Sequence, residues 1–359
     1  MISALLIAPN RSAAKFRVFT ANASDNTVSV IDGDLDREVE VIPVGNFPQG
    51  LALRERDPLL AVANSRGNSV TLIDPLRMVR RGPEIPVGRF PIDMKFSADG
   101  RSLFCTSYDD QSVVVLDVDA GRPVREPVRV GAPPRRIKLS DDGAFAYVLL
   151  YQPDGALVVL DTRTWALVGA VTVGAFPTDM VMHPDGKRLM VASFNSDTAA
   201  VVDIESLRVV QRFELRVGNG LLIHPRQPLL YSMVTFDNEV AVLDYERQKE
   251  VAAIPVGQHP GYSAMTPDGR FVFAVNGTDG NVMKIDTETN RVLVRIAVGV
   301  EPTDAVVFDM GSEMPTRAML VAALVASVIG VLSAGSAWRQ RRSRIVMHPT
   351  LPCNHRQPG

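Results

Sequence analysis

Residues 94–131 read MKFSADGRSLFCTSYDDQSVVVLDVDAGRPVREPVRVG, four short β-like runs with turn chemistry between them. The runs are Met94 to Phe96, Ser102 to Thr106, Ser112 to Leu116 and Pro123 to Val130, and none has helical spacing. Asp99-Gly100 divides the first two, where a tight hairpin wants a residue that tolerates positive φ. The apolar-Asp pair that closes the third run, Leu116-Asp117, recurs along the chain. It returns as Ile31-Asp32, Ile73-Asp74, Leu160-Asp161, Val202-Asp203, Leu243-Asp244 and Ile285-Asp286, a period of about 42 residues. The closing Val130-Gly131 recurs in step, at Val44-Gly45, Val87-Gly88, Val173-Gly174, Val217-Gly218, Val256-Gly257 and Val298-Gly299. Four antiparallel strands per repeat, repeated radially, make the blades of a propeller. The expected fold is therefore all-β, a seven-bladed β-propeller over residues 12–308.

The ends show how the ring closes. Residues 12–19 align with 97–104, so the first repeat starts at its second strand. Its missing innermost strand matches Pro302 to Phe308, so this C-terminal strand should complete the first blade and leave no open sheet edge. One repeat departs from the pattern: Val217-Gly218-Asn219-Gly220 lacks the loop proline, and Pro225-Arg226-Gln227-Pro228 replaces the Asp-Gly hairpin.

The runs Phe19-Thr20-Ala21-Asn22 and Asn26-Thr27-Val28-Ser29-Val30-Ile31-Asp32, followed by Ile42-Pro43-Val44-Gly45-x-x-Pro48, resemble the YVTN-family β-propeller repeat. The resemblance implies a seven-bladed propeller of the kind found in extracytoplasmic bacterial and archaeal proteins, within a wider lactonase-like group. It implies no single activity.

The chain has 359 residues with a net charge of −2, which removes the field a nucleic-acid binder uses to displace counterions from phosphates. Two cysteines, Cys105 and Cys353, build neither a disulfide framework nor a four-thiolate zinc site. Neither a metal site nor a cofactor is expected. Ala318 to Trp338 is 21 residues without a charge, about 31 Å as a helix against a hydrocarbon core of about 30 Å. The segment 318–338 is expected to span a membrane, after a linker at 309–317. Arg339, Arg341, Arg342 and Arg344 open a basic tail, 339–359, which the positive-inside rule places in the cytoplasm, with the propeller outside. Residues 1–11 carry no clear export signal: either they are the remnant of such a region, the favoured reading, or the propeller is cytoplasmic and only the short basic tail crosses. Small residues at Ala318, Ala322, Ala326, Gly330 and Ala334 offer a face for helix pairing, hence a homodimer.

Propellers place ligands at the loop face, around the central channel. Two residues after the loop-proline slot the seven repeats carry Gly50, Asp93, Arg136, Asp179, Gly220, Tyr262 and Asp304. The recurrent Asp93, Asp179 and Asp304 read as a structural ring bonding blade to blade, with Arg136 between two of them. The departures Lys95, Arg135, Arg136 and Lys138, with His259 and Tyr262, are the candidate ligand residues, an anion or carboxylate site that uses the arginine fork. No nucleophile elbow or phosphate loop is present, and no catalytic residue is assigned. The expectation is a non-catalytic, membrane-anchored module binding a protein or surface polymer at its loop face. The alternative is a lactonase-like hydrolase or small-anion binder using the channel mouth.

Overall fold

The recurrent aspartate works as a turn clamp. Asp32 Oδ1 accepts the backbone N–H groups of Asp34 (3.0 Å) and Leu35 (2.9 Å). Asp74, Asp117, Asp161 and Asp244 each take two backbone N–H groups in the same way. This is an Asx turn, which reverses the chain between third and fourth strands without spending a ladder hydrogen bond. The hairpin between first and second strands is built as Ser-x-Asp-Gly. Ser97 Oγ donates to Asp99 Oδ1 (2.6 Å), and Gly100 takes φ +71°, a left-handed conformation that glycine adopts without a Cβ penalty. The glycine of the Val-Gly anchor is required by packing. A Cβ on Gly299 would stand 2.6 Å from Asn22 Nδ2, a buried amide that donates to Thr27 and Ser29 of its own blade.

The structure, a computed structural model, describes residues 15–194 and 197–310, and among these there is no helix. Seven antiparallel sheets stand around a central channel. In blade 1 the innermost strand is Pro302–Asp309, paired with Phe16–Asn22 and followed outward by Thr27–Asp32 and Arg37–Pro43. The C-terminal strand thus closes the first blade. Blades 2 to 7 begin on innermost strands Pro48–Arg54, Pro91–Phe96, Pro134–Leu139, Pro177–Met182, Gly220–Ile223 and Ala264–Met265. The membrane segment expected at 318–338, the tail 339–359, residues 1–11 and the linker beyond residue 310 lie outside the described residues. No helix among the described residues is long and apolar enough to cross a membrane.

Second strands such as Leu59–Asn64 are buried along their whole length, because a neighbouring blade covers each face. Fourth strands such as Arg208–Glu214 alternate, one side to the neighbour and the other to solvent. The core is a series of inter-blade layers. Val148 and Leu160 pack against Phe104 and Val115 across one seam, and Tyr231 and Val242 against Val272 and Ile285 across another. Each such side chain contributes about 1.5–3 kcal/mol of transfer free energy.

Two details depart from the regular repeat. The fourth strands of blades 2 and 3 are each split, into Val79–Arg80 with Ile85–Pro86 and into Arg122–Pro123 with Val128–Arg129. Pro83, Pro123 and Pro127 lack the N–H a continuous ladder needs, which only an outermost strand tolerates. Irregularity on the inner side is shared by blades 6 and 7, where the innermost strands shrink to four and two residues.

Candidate functional site

The innermost strands share a device that composition does not reveal. In blades 2, 4 and 5 the pairing with the second strand slips at the residue after the proline, so Gln49, Arg135 and Thr178 are bulged. Thr303 is bulged in the same place in blade 1. A bulge re-aims its side chain out of the strand's alternation. Arg135 points to the loop-side mouth of the channel while the next residue, Arg136, points into it.

The mouth is a pit of about 190 Å³ lined by Gln49, Ile92, Arg135, Arg136, Asn219, His259 and Tyr262, among others. Arg135 Nε–H donates to Tyr262 Oη (3.1 Å) and Nη2 to Asn219 Oδ1 (3.3 Å), while its guanidinium lies 4.9 Å from the Tyr151 ring centre. Tyr262 Oη–H in turn donates to the Thr178 carbonyl (3.3 Å). The arginine fork has five N–H groups. Two are used here and fix its plane. His259, in a left-handed conformation with φ 59°, stands at the rim near the ring of Phe236, which is 73% exposed.

Arg136 forms the floor. Its guanidinium carbon lies 3.3 Å from the Tyr262 ring centre, Nη1 is 3.2 Å from Asp93 Oδ1, and Nε is 3.2 Å from Asp179 Oδ1. Burial opposes the Arg136 charge, but Asp93 and Asp179 hold the guanidinium above its ordinary value. The three aspartates also clasp the next blade. Asp93 Oδ2 accepts the Ile137 N–H (2.8 Å), Asp179 Oδ2 the Leu221 N–H (2.8 Å) and Asp304 Oδ2 the Leu51 N–H (2.9 Å). Burial pushes the Asp304 carboxyl up to about 7 against the opposing pull of Arg136, and the Asp93 charge adds to the rise.

Of the six candidate ligand residues, the mouth gathers Arg135, Arg136, His259 and Tyr262. Lys95 and Lys138 are elsewhere, two residues beyond Asp93 and Arg136 on the same strands, in a second chamber under the Arg136 floor. Comparing the repeats two residues after the proline finds Arg136 and Tyr262 but not Gln49 and Thr303, which line the mouth from the bulged position one residue earlier. Tyr151 was missed as well, although Tyr108, Tyr151 and Phe194 fill one slot after the second strand in three successive repeats. Aligning that column would have shown an aromatic arc. Among the described residues no group of three His, Cys, Asp or Glu stands ready to hold a metal ion.

No family model matches the chain, and no curated protein matches it. Solved structures share the fold. Kuenenia stuttgartiensis hydrazine synthase superposes with a TM-score of 0.69 at 21% identity, over 80% of this chain and 99% of that one. The periplasmic gluconolactonase PpgL of Pseudomonas aeruginosa gives 0.65 at 19%, over 82% and 99%. Dihydro-heme d1 dehydrogenase NirN in complex with DHE gives 0.64 at 15%, over 86% and 78%. The chain is therefore a seven-bladed β-propeller with a lactonase among its structural neighbours, and at these identities the likeness is one of fold. The expectation of a non-catalytic binding or scaffold module is corrected. Proteins described as enzymes stand around this fold. The loop face, moreover, centres on a confined pit of about 190 Å³ into which Arg135, Arg136 and Tyr262 project, rather than on a broad flat surface.

Proposed function

We propose that the chain is a lactonase-like propeller that takes a small carboxylate or lactone in its channel mouth, with Arg135 as the anchor. The observation that carries this reading is the fixed guanidinium. Tyr262 and Asn219 hold two of its N–H groups, Tyr151 supports its face, and the remaining N–H groups serve a carboxylate or polarise a lactone carbonyl. A pit of about 190 Å³ suits a single small molecule, no larger than a sugar acid. The test is a panel of aldonolactones with pH-stat readout of hydrolysis, beside calorimetry with the matching aldonic acids. Hydrolysis or binding by the native chain that falls at least about tenfold in Arg135→Ala supports the reading. Absence of both, or an Arg135→Ala variant equal to the native chain, refutes it.

The finer sequence readings belong to the same proposal. The repeat pattern of Val-Gly-x-x-Pro with Asn-x-Val runs supports a YVTN-type propeller over 12–308. The uncharged stretch 318–338 and the arginines after it support a single membrane span with tail 339–359 in the cytoplasm and the propeller outside. Impermeant protease on intact cells tests this: propeller cleavage with tail protection is expected, and cleavage only after lysis overturns it.

A further inference from the structure

Under the Arg136 floor the channel continues into a chamber of about 160 Å³, lined by Lys95 and Lys138 together with Asp93, Asp179, Asp304 and Arg136. Its acidic groups are already engaged. Asp93 and Asp179 hold Arg136 and a backbone N–H of the next blade, and Asp304 accepts the N–H groups of Leu51 and Ala305. The two lysines are different. Neither ammonium has a hydrogen bond or an ion pair among the described residues. They occupy equivalent positions on adjacent innermost strands, so two like charges line one small cavity at the seam of blades 3 and 4. Such charges are costly to hold in a confined space unless something of opposite sign satisfies them.

We propose that a small oxyanion, of the size of inorganic phosphate or a short carboxylate, binds in this chamber between Lys95 and Lys138. The ammonium groups supply six N–H donors, enough to saturate the oxygens of such an ion. Burial, and then the Lys95 charge, lower Lys138 to about 8 even though Asp179 and Asp93 act the other way, and an anion between the lysines would relieve what remains. Arg136, stacked on Tyr262, separates this site from the mouth, so the inference stands independently of the lactone reading.

The test titrates the full chain with inorganic phosphate and, separately, with acetate, at constant ionic strength in chloride. Calorimetry follows binding, and nitrogen NMR follows the lysine Nζ resonances of the unaltered protein. Saturable binding that moves two lysine resonances together is expected, weakened at least about tenfold in Lys95→Met and in Lys138→Met and retained in Arg135→Ala. Preference for phosphate or for acetate assigns the source of the oxyanion. The proposal is overturned if neither anion saturates, or if no lysine resonance moves. It is equally overturned if binding survives both lysine variants, and loss in Arg135→Ala alone would transfer the anion to the mouth.

Discussion

Replacing Asp304 with asparagine isolates a channel carboxyl whose proton affinity the fold has raised. In the unfolded chain this group ionises near 3.8; in the folded ring it does so at about 7, because it is buried. Between those values the native state binds the extra proton and the unfolded state does not, so stability falls as pH rises. The contribution is fully present below about 3.8 and gone above about 7, a total of about 4 kcal/mol at about 1.4 kcal/mol per pH unit. Urea denaturation of the native chain and of Asp304→Asn from pH 4.5 to 8.5 measures it directly. The stability difference, native minus variant, should decline by about 1.4 kcal/mol per unit between pH 5 and 7 and level off above 8. Asparagine retains an acceptor for one of the two backbone N–H groups, so a constant offset is also expected. A difference that stays flat across this range, or that grows with pH, would show that Asp304 is ionised like an ordinary carboxylate and that the clasp on Leu51 dominates its environment.

Arg136→Met should cost about 3–5 kcal/mol, seen as a large drop in Tm, since it leaves Asp93 and Asp179 buried without their counter-charge. Adding Asp93→Asn and Asp179→Asn should recover most of it; no recovery would mean that the loss is one of packing. Lys138→Met should abolish the stability the native chain gains as pH rises from about 8 to about 10.5, because a lowered lysine carries its penalty below its folded value and sheds it above. Parallel pH curves for the two proteins would contradict this. Gly299→Ala should cost about 2–3 kcal/mol by displacing Asn22 from Thr27 and Ser29, and an unchanged Tm would show that the seam yields freely. Cys105 is fully buried with its thiol pushed far up by burial, so a disulfide reagent should leave it untouched in the folded ring and react only as fast as the blade opens.

The blades were legible because each repeat states its turns locally. An Asp that clamps two following N–H groups, and a Gly that makes room for a neighbouring amide, leave their mark at fixed spacing whatever the rest of the sequence does. Ring closure was legible for the same reason, since Pro302 to Phe308 aligns only with an innermost strand. The mouth was harder. That Arg135 and Arg136, consecutive on one strand, both reach the pit depends on a one-residue slip against Phe145–Leu150, which neither residue's identity announces. Lys95 and Lys138 looked like neighbours of Arg135 because they share its strands or adjoin them. Strand alternation carries them down the channel, and the stack of Arg136 on Tyr262 from the far side of the ring partitions the two spaces. That stack joins blades 4 and 7, a cross-channel pairing with no sequence signature.

The aspartate clasps fall between blades 1 and 2, 3 and 4, and 5 and 6, and seven is an odd number. By these backbone clasps alone the ring is three pairs and a remainder, and Arg136 ties the second pair to the third through Asp179. Blade 7 is that remainder, held to blade 1 by the Tyr262 N–H on the Thr303 carbonyl and by Lys284 reaching the Gly33 carbonyl and Asp36, and carrying an innermost strand of only two residues. Breathing of the ring should therefore begin there, with amides around Ala264 and Met265 exchanging ahead of their equivalents elsewhere. Because Tyr262 belongs to this unclasped blade and also roofs Arg136, each such excursion would unstack the partition and briefly turn two chambers into one continuous passage.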